Sequence, residues 1–244
     1  MFRKLWLLLS LVALPAVALA GGESATEGTT FTVRIENVST TATLKSMKGE
    51  TAPAPNSPGV WVVHRGVAPL FKVGKPDLGW GLEAQAEDGN PATLAEHCKT
   101  HAGVQSVGVF NTPKGDQQPG PALPGKVYEF TVTAKPGDRL SFATMFGQSN
   151  DLFYAPAEAG IDLFGSDGRA VNGDVTAKLN LWDAGTEVNE EPGFGPNQAP
   201  RQSGSNTGAS EKKPVGKVKD GFKYPKVSDV LKVTITAGQA VAAQ

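Results

Sequence analysis

Short segments of alternating apolar and polar residues recur along the chain and constrain its fold more than any other feature. Three of them, residues 30–38, 126–133 and 230–236, alternate with period two and are rich in β-branched and aromatic side chains, which is typical of half-buried strands. Residues 59–64 and 140–146 are two further predicted strands. Because at least five strands are spread over most of the chain, we expect an all-β fold, an antiparallel β-sandwich.

Between these strands we predict one short helix and two long loops. Asn90 offers a cap and Pro91 suits the first helical position, so a helix is expected over residues 92–101, lying across one end of the sandwich. Residues 111–125 and 192–216 are rich in Gly, Pro, Asn, Gln and Ser, which indicates surface loops. The second loop approaches the length at which a structureless loop needs a reason, and it could wrap over the residues that precede it.

The first twenty residues have the pattern of an export signal. A basic start is followed by an apolar run that Ser10 and Pro15 interrupt, and small residues precede the expected cleavage after Ala20. The run is short for a bilayer span, so we predict a cleaved signal over residues 1–20, with an uncleaved anchor as the alternative. We therefore expect a secreted or periplasmic protein with no stable membrane insertion after cleavage.

The expected organisation of the exported chain is simple. Residues 21–28 would be a flexible linker, residues 29–238 one β-sandwich domain, and residues 239–244 a disordered tail. Loss of the two basic signal residues leaves 21 basic and 24 acidic residues, so the formal net charge changes from −1 to −3. With this mildly acidic balance and no basic cluster, nucleic acid is not an expected partner.

Cys98 is the only cysteine of the chain, so no disulfide can form within it. In an oxidising compartment a buried free thiol is expected, with pairing between two chains as the alternative. Stability must then come from the core, from packed loops or from a bound ion.

Two polar turns that follow apolar strands carry three acidic residues. Asp151 comes after the segment 140–146, and Asp183 and Glu187 follow residues 179–182 about thirty residues later. If the two strands are neighbours, the three carboxylates could converge at one end of the sandwich. Calcium takes six to eight oxygen ligands, which such turns can supply. On composition alone, solvated turn residues remain the commoner interpretation.

These same residues carry a resemblance to a known family. The segments Asp-Arg-Leu-Ser-Phe-Ala-Thr-Met-Phe-Gly (138–147), Ser-Asn-Asp (149–151) and Trp-Asp-Ala-Gly-Thr-Glu (182–187) resemble successive signature blocks of the spondin amino-terminal domain. That domain occurs in F-spondin and mindin of animal extracellular matrix and in short exported bacterial proteins. Residues 81–91 and 230–236 support the resemblance, which spans about residues 30–237.

The resemblance implies an antiparallel sandwich similar to C2 domains, with Ca2+ held at one end. Residue by residue, it implies Asp151, Asp183 and Glu187 as ligands. The chain differs from the animal form by Glu187, where Asp is usual, and by the missing disulfide cysteines. The longer Glu keeps the carboxylate, so we expect the site to be retained with altered geometry.

Other candidate residues have simpler interpretations. Glu190 and Glu191 could supply outer ligands but fit a solvated loop, and Trp182 is expected in the core beside the site. His97 and His101 share a helix face next to Cys98, yet the sequence provides no evident third zinc ligand. Structural or turn roles are expected for three further residues, namely His64, Asp162 and Asp167.

Three functions remain open from the sequence. The first is a calcium-binding module for adhesion or surface interaction, whose partner is an unidentified extracellular protein or glycan. The second is an extracellular hydrolase that uses Asp183 and Glu187 as paired acids. The third is a structural module with a vestigial metal site. No Gly-x-Ser-x-Gly nucleophile elbow occurs in the chain.

Overall fold

All five alternating or apolar segments form strands in the computed structural model, which describes residues 28–238. The predicted signal, the linker before residue 28 and the predicted tail at 239–244 lie outside that range. In chain order the strands are β1 (Thr29–Asn37), β2 (Leu44–Lys45), β3 (Thr51–Ala52), β4 (Asn56–His64), β5 (Val104–Phe110), β6 (Val127–Ala134), β7 (Arg139–Phe146), β8 (Leu152–Pro156), β9 (Ile161–Asp162), β10 (Gly173–Asp174), β11 (Leu179–Asp183), β12 (Gly216–Lys217) and β13 (Leu231–Ala237).

These strands build two main sheets, and every strand pair is antiparallel. The smaller sheet has the order β10-β13-β1-β6, and the larger has the order β12-β11-β8-β7-β4-β5, with β9 also paired to β7. Strands β2 and β3 form a separate hairpin. The predicted antiparallel β-sandwich is therefore confirmed.

The smaller sheet shows why alternation predicted strands correctly. On β1, the side chains of Phe31, Val33 and Ile35 are completely buried, whereas the residues between them are partly exposed. The buried face packs against the larger sheet, where Phe142 and Tyr154 belong to the same core. Burial of one face of β1, β6 and β13 is the main stabilising contribution to this layer.

The larger sheet is buried on both faces at its centre. Every residue of β8 is buried, and so are seven of the eight residues of β7. Its outer face is covered by two helices, α1 (Leu82–Glu87) and α2 (Ala92–Thr100), which form a second apolar core with Phe153 and Trp182. The helices explain why residues 140–146 form a nearly continuous apolar run rather than an alternating one.

The helical content differs from the single helix that was predicted. Helix α2 begins one residue after Pro91, and Asn90 Oδ1 accepts a hydrogen bond of 3.1 Å from the backbone N–H of Ala92. However, α1 was missed because six residues are too few for a helical pattern. The helices also lie on the face of the larger sheet rather than across one end, since α2 packs against β4 and β5. A one-turn helix α3 (Val227–Val230) and a 3-10 helix (Thr176–Lys178) complete the set.

Both Gly- and Pro-rich segments are loops, as predicted. The second one, residues 192–216, contains little regular structure, yet Gln198 within it is fully buried. Cys98 is buried in the second core without a disulfide partner, and burial raises the pKa of its thiol to about 12. The buried free thiol is thus confirmed. Among residues 28–238 no helix is long and apolar enough to cross a membrane.

Candidate cation site

The order of the larger sheet brings the two acidic turns together. Strand β8 begins directly after Asp151 and pairs with β11, so that Leu152 faces Asp183 across the ladder. The backbone N–H of Ala184 also donates to the carbonyl oxygen of Asp151 at 3.2 Å. Strand β8 lies between β7 and β11, so the two strands that precede the turns are not neighbours. Pairing of β8 with β11 still places both turns at the same end of the sandwich.

Asp151 is the most buried of the three predicted ligands, with no exposed surface. Its Oδ2 accepts hydrogen bonds from the backbone N–H groups of Thr186 and Glu187, at 2.7 and 3.1 Å. Its Oδ1 is buried and has no hydrogen-bond partner. Burial, followed by the nearby carboxylate of Asp183, raises the pKa of Asp151 to about 7, although the two N–H donors act in the opposite direction.

Asp183 is held inside its own turn. Its Oδ1 accepts from the backbone N–H of Gly185 at 2.8 Å, and its Oδ2 accepts from Asn189 Nδ2 at 2.9 Å. Burial raises the pKa of Asp183, and these two donors oppose the shift. Gly185 has φ of 71°, and a Cβ there would lie 2.4 Å from the carbonyl oxygen of Lys213. The turn therefore requires glycine for both its backbone conformation and its close packing.

Glu187 is buried under the long loop. Its Oε1 accepts from the backbone N–H of Gly208 at 3.0 Å, and Asn150 Nδ2 lies 3.4 Å from its Oε2. A Cβ at residue 208 would lie 2.3 Å from Glu187 Oε2, so a larger residue there would displace the Glu187 carboxylate. Burial is the main cause that raises the pKa of Glu187. The loop 192–216 thus covers the site that precedes it, as the sequence suggested.

Sequence reasoning missed a fourth carboxylate, that of Glu87 at the end of α1. Glu87 is 2 % exposed, and its Oε1 is buried without a hydrogen-bond partner. Burial, and after it the charges of Glu187, Glu83 and Asp151, raise the pKa of Glu87 to about 8, while the hydroxyl of Thr186 opposes the shift. No local sequence pattern marks Glu87, because its burial depends on segments that lie far from it in the chain.

Asn206 links Glu87 to the covering loop. With its amide nitrogen turned toward the carboxylates, it donates to Glu87 Oε2 at 3.0 Å and to Glu83 Oε1 at 3.1 Å. The hydroxyl oxygen of the next residue, Thr207, is buried and unpartnered. Helix α1, the turn after β7, the turn after β11 and the long loop therefore all contribute oxygen atoms to one region.

The chemistry of this donor set fits a hard cation. Asp151 Oδ1 and Glu87 Oε1 are oxygens that are buried in the interior with neither a proton donor nor a positive side chain beside them. A buried carboxylate in such surroundings either takes up a proton or binds a cation. Calcium, which prefers carboxylate, amide and carbonyl oxygens, matches the groups that are present.

The acidic side chains are not already arranged as a complete ligand set for one ion. In the part of the chain that the structure describes, no three His, Cys, Asp or Glu side chains are grouped so that they could hold one ion together. The oxygens of Asp183 and Glu187 are instead satisfied mainly by amide donors. The structure brings the turns together, but the joint ligation by the three predicted residues stays a prediction.

Paired catalytic acids would have to face one cleft. An open groove of 850 Å³ lies beside Asp183, at the outer edge of the larger sheet near β12. Glu187 is not among its lining residues and is only 3 % exposed. The groove therefore does not present these two carboxyl groups to a common substrate.

The three histidines make packing contacts or buried hydrogen bonds, and His64 does so with Ser141. His97 stacks on Trp80 with ring centroids 4.5 Å apart, and it lies 5.7 Å from His101 by the same measure. His64 Nε2 and Ser141 Oγ are 2.8 Å apart, but both residues are buried. Burial is the main cause that lowers the pKa of His64 to about 4. An exposed nucleophile is not formed by this pair.

The other acidic candidates take part in local contacts. Glu190 accepts from Asn197 Nδ2 at 2.6 Å, and Glu191 accepts from the backbone N–H of Met47 at 2.6 Å, so neither is simply solvated. Asp162 pairs with Arg139 on β7. Trp182 is 5 % exposed and packs in the second core, as expected.

Comparison with known proteins adds no relative. The sequence matches no model of a known protein family, and a search of curated proteins likewise gives no match.

Proposed function

We propose that this protein is a secreted or periplasmic, spondin-type calcium-binding module that mediates adhesion or surface interaction. The observation that carries the proposal is the pair of unpartnered, buried carboxylate oxygens of Asp151 and Glu87 beside Glu187. Asp151, Asp183 and Glu187 are the proposed ligands, and Glu87 is a further acidic group of the same region. Export and the spondin resemblance remain arguments from the sequence.

Calcium would act by relieving the repulsion between these buried groups. A cation that binds only the folded protein stabilises it by mass action, by about 2.7 kcal/mol when its concentration is one hundred times the dissociation constant. The elements that would be ordered are the two acidic turns and residues 206–208. They lie at one end of the sandwich, where a partner could contact them. Recognition of a partner would therefore depend on the ion.

The test measures calcium content and thermal stability of protein purified without chelator. We expect calcium to raise the melting temperature of the wild-type protein, and Asp151→Asn to abolish most of the increase. Asp167→Asn, which removes an exposed carboxylate in a distant turn, serves as the matched control and keeps the increase. A wild-type protein that binds no calcium and shows no shift would refute the proposal.

A second candidate is a structural module in which the carboxylates hold the loops through hydrogen bonds alone. It is favoured by the amide donors that already satisfy Asp183 and Glu187, and by the lack of a three-residue ligand group within residues 28–238. The same measurement separates the two candidates. For the structural module, Asp151→Asn changes stability equally with and without calcium.

A further inference from the structure

The buried carboxylates of the candidate cation site are closed off from solvent. Asp151 has no exposed surface, and Glu87 and Glu187 are 2 % and 3 % exposed. The unpartnered oxygens, Asp151 Oδ1 and Glu87 Oε1, are buried as well. A cation can therefore reach them only when part of the covering structure moves aside.

Most of the covering structure is held firmly. Helix α1 contributes Leu82 and Ala86 to the second core, and all residues of the turn at 147–151 are buried. The turn after β11 is fixed by backbone hydrogen bonds, one of which joins Lys213 N–H to the carbonyl oxygen of Gly185 at 2.9 Å. Displacement of any of these elements would break core packing or backbone hydrogen bonds, which is costly.

The remaining cover is a short segment of the long loop, residues 203–208, which we call the strap. Within the described chain, none of these residues is buried and none makes a hydrogen bond between backbone groups. Instead, Gly208 N–H donates to Glu187 Oε1 at 3.0 Å, and the turned Asn206 amide donates to Glu87 Oε2 at 3.0 Å. The strap is thus held by the carboxylates that it covers.

The chain is anchored on both sides of the strap. Before it, Gln202 Nε2 donates to Asp88 Oδ1 at 2.9 Å. After it, the carbonyl oxygen of Ala209 accepts a hydrogen bond from Val188 N–H at 2.7 Å. A movement of the strap can therefore stay local, because few hydrogen bonds must break and both anchors can remain in place.

An acidic pocket of 270 Å³ lies on the outer side of the strap. Three carboxylates, those of Asp77, Glu83 and Asp88, line it together with Asn206, and no basic side chain does. None of the three takes part in an ion pair of the described residues. Such a pocket raises the local concentration of cations. Because Asn206 borders the pocket and also donates to Glu87, it stands between this opening and the buried carboxylate.

The groove of 850 Å³ beside Asp183 is the other opening near the acidic turns. It is lined by three lysines and two aspartates, namely Lys213, Lys217, Lys219, Asp183 and Asp220. The lysines repel a cation, and both oxygens of Asp183 already accept hydrogen bonds from the protein. The acidic pocket is therefore the better route for a cation.

We propose that the strap is the gate of the cation site: it opens to admit a divalent cation from the acidic pocket and closes over the bound ion. This inference rests on the calcium-binding function proposed above, and it adds the route and the moving element. Without a cation, the like charges of Glu87 and Glu187 repel each other and hold the strap weakly. A bound ion would fix both carboxylates where they accept the hydrogen bonds of the strap. Ion binding and closure therefore favour each other.

Hydrogen exchange of single amides, followed by NMR on the purified protein, tests the opening. The N–H of Gly208, which is bound to Glu187, should exchange faster in chelator than in calcium. The N–H of Ala184, which is bound to the carbonyl oxygen of Asp151, should exchange slowly in both conditions, because its turn does not move. Equal exchange of Gly208 in chelator and in calcium would overturn the gate. So would exchange of Ala184 as fast as that of Gly208.

The substitution Asn206→Gly weakens the gate without straining its backbone. Asn206 is the only non-glycine residue with a positive φ among the described residues, 56°, and glycine adopts that conformation readily. Calcium release is measured by rapid mixing with a fluorescent chelator. Asn206→Gly should release calcium at least about tenfold faster than wild type, because hydrogen bonds to charged groups are lost. Ser205→Gly, which changes the exposed neighbouring residue of the strap in the same way, should release it like wild type.

The outcomes separate this inference from the calcium proposal on which it rests. If wild type binds calcium but Asn206→Gly releases it at the wild-type rate, the gate is wrong and calcium binding stands. If Ser205→Gly accelerates release as much as Asn206→Gly, the amide of Asn206 does not hold the strap and the gate is again wrong. If wild type binds no calcium, both proposals fail.

Discussion

At the scale of single residues, the notable feature is a carboxyl group that is costly to keep ionised. Glu87 ends a short helix, and its side chain enters a region that already contains Asp151 and Glu187. A group with a raised pKa in the folded state takes up protons on folding. Between the ordinary pKa values of Asp and Glu and the folded values of about 7 and about 8, stability therefore falls as the pH rises.

In chelator we therefore expect the melting temperature to fall between about pH 5 and pH 8. Glu87→Gln, which keeps the shape and removes the charge, should flatten this decline and melt higher than wild type at the upper pH. Calcium should remove much of the decline in wild type, because the cation binds the ionised form. The measurement is thermal unfolding followed by circular dichroism across this pH range.

Glu96→Gln on helix α2 is the control for that experiment, since Glu96 is exposed and pairs only with Lys99 of its own helix. It should leave the pH dependence nearly unchanged. A pH profile of Glu87→Gln that coincides with the wild-type profile would show that the Glu87 carboxyl does not titrate abnormally.

At the scale of elements, the two helices decide how the larger sheet is buried. Leu82 and Leu94 contribute side chains with almost no exposure to the second core, together with Phe153 and Trp182 of the sheet. Without this layer, one face of β7 and β8 would expose apolar side chains to water. The helices are thus required for the fold, although they are short and only weakly marked in the sequence.

Replacement of Leu94 by alanine tests this role. Leu94 is fully buried, so Leu94→Ala should lower the free energy of unfolding by about 2 to 5 kcal/mol. Leu78→Ala is the matched control, because Leu78 is 41 % exposed, and it should have little effect. Urea denaturation gives both values. If both variants lower the free energy of unfolding by a similarly small amount, packing of α2 on the sheet does not stabilise the fold.

At the scale of the whole molecule, one sheet belongs to both cores. On β8, Leu152 and Tyr154 belong to the core between the sheets, whereas Phe153 and Ala155 belong to the core under the helices. Neither core can lose its packing without exposing strands that the other needs. This shared layer couples the helices, the acidic turns and both sheets.

We therefore predict a single cooperative unfolding transition. In a Trp61→Phe variant, tryptophan fluorescence of the described residues reports on Trp182 in the second core and on Trp80, which packs against it. Far-ultraviolet circular dichroism reports on the strands throughout. The two signals should give the same urea midpoint. Separate midpoints would show that the helical layer unfolds independently of the sandwich.

The sequence by itself determined the local features: which segments are strands, where the two long loops lie, and that Cys98 has no disulfide partner within the chain. These follow from the period of the side chains and from composition, which depend only on neighbouring residues. Tertiary structure decided what depends on distant residues: the helical layer over β7 and β8, the burial of Glu87 beside Asp151, and the groove at β12. The reason is that burial and charge at these places arise from segments far apart in the chain, which no local pattern records.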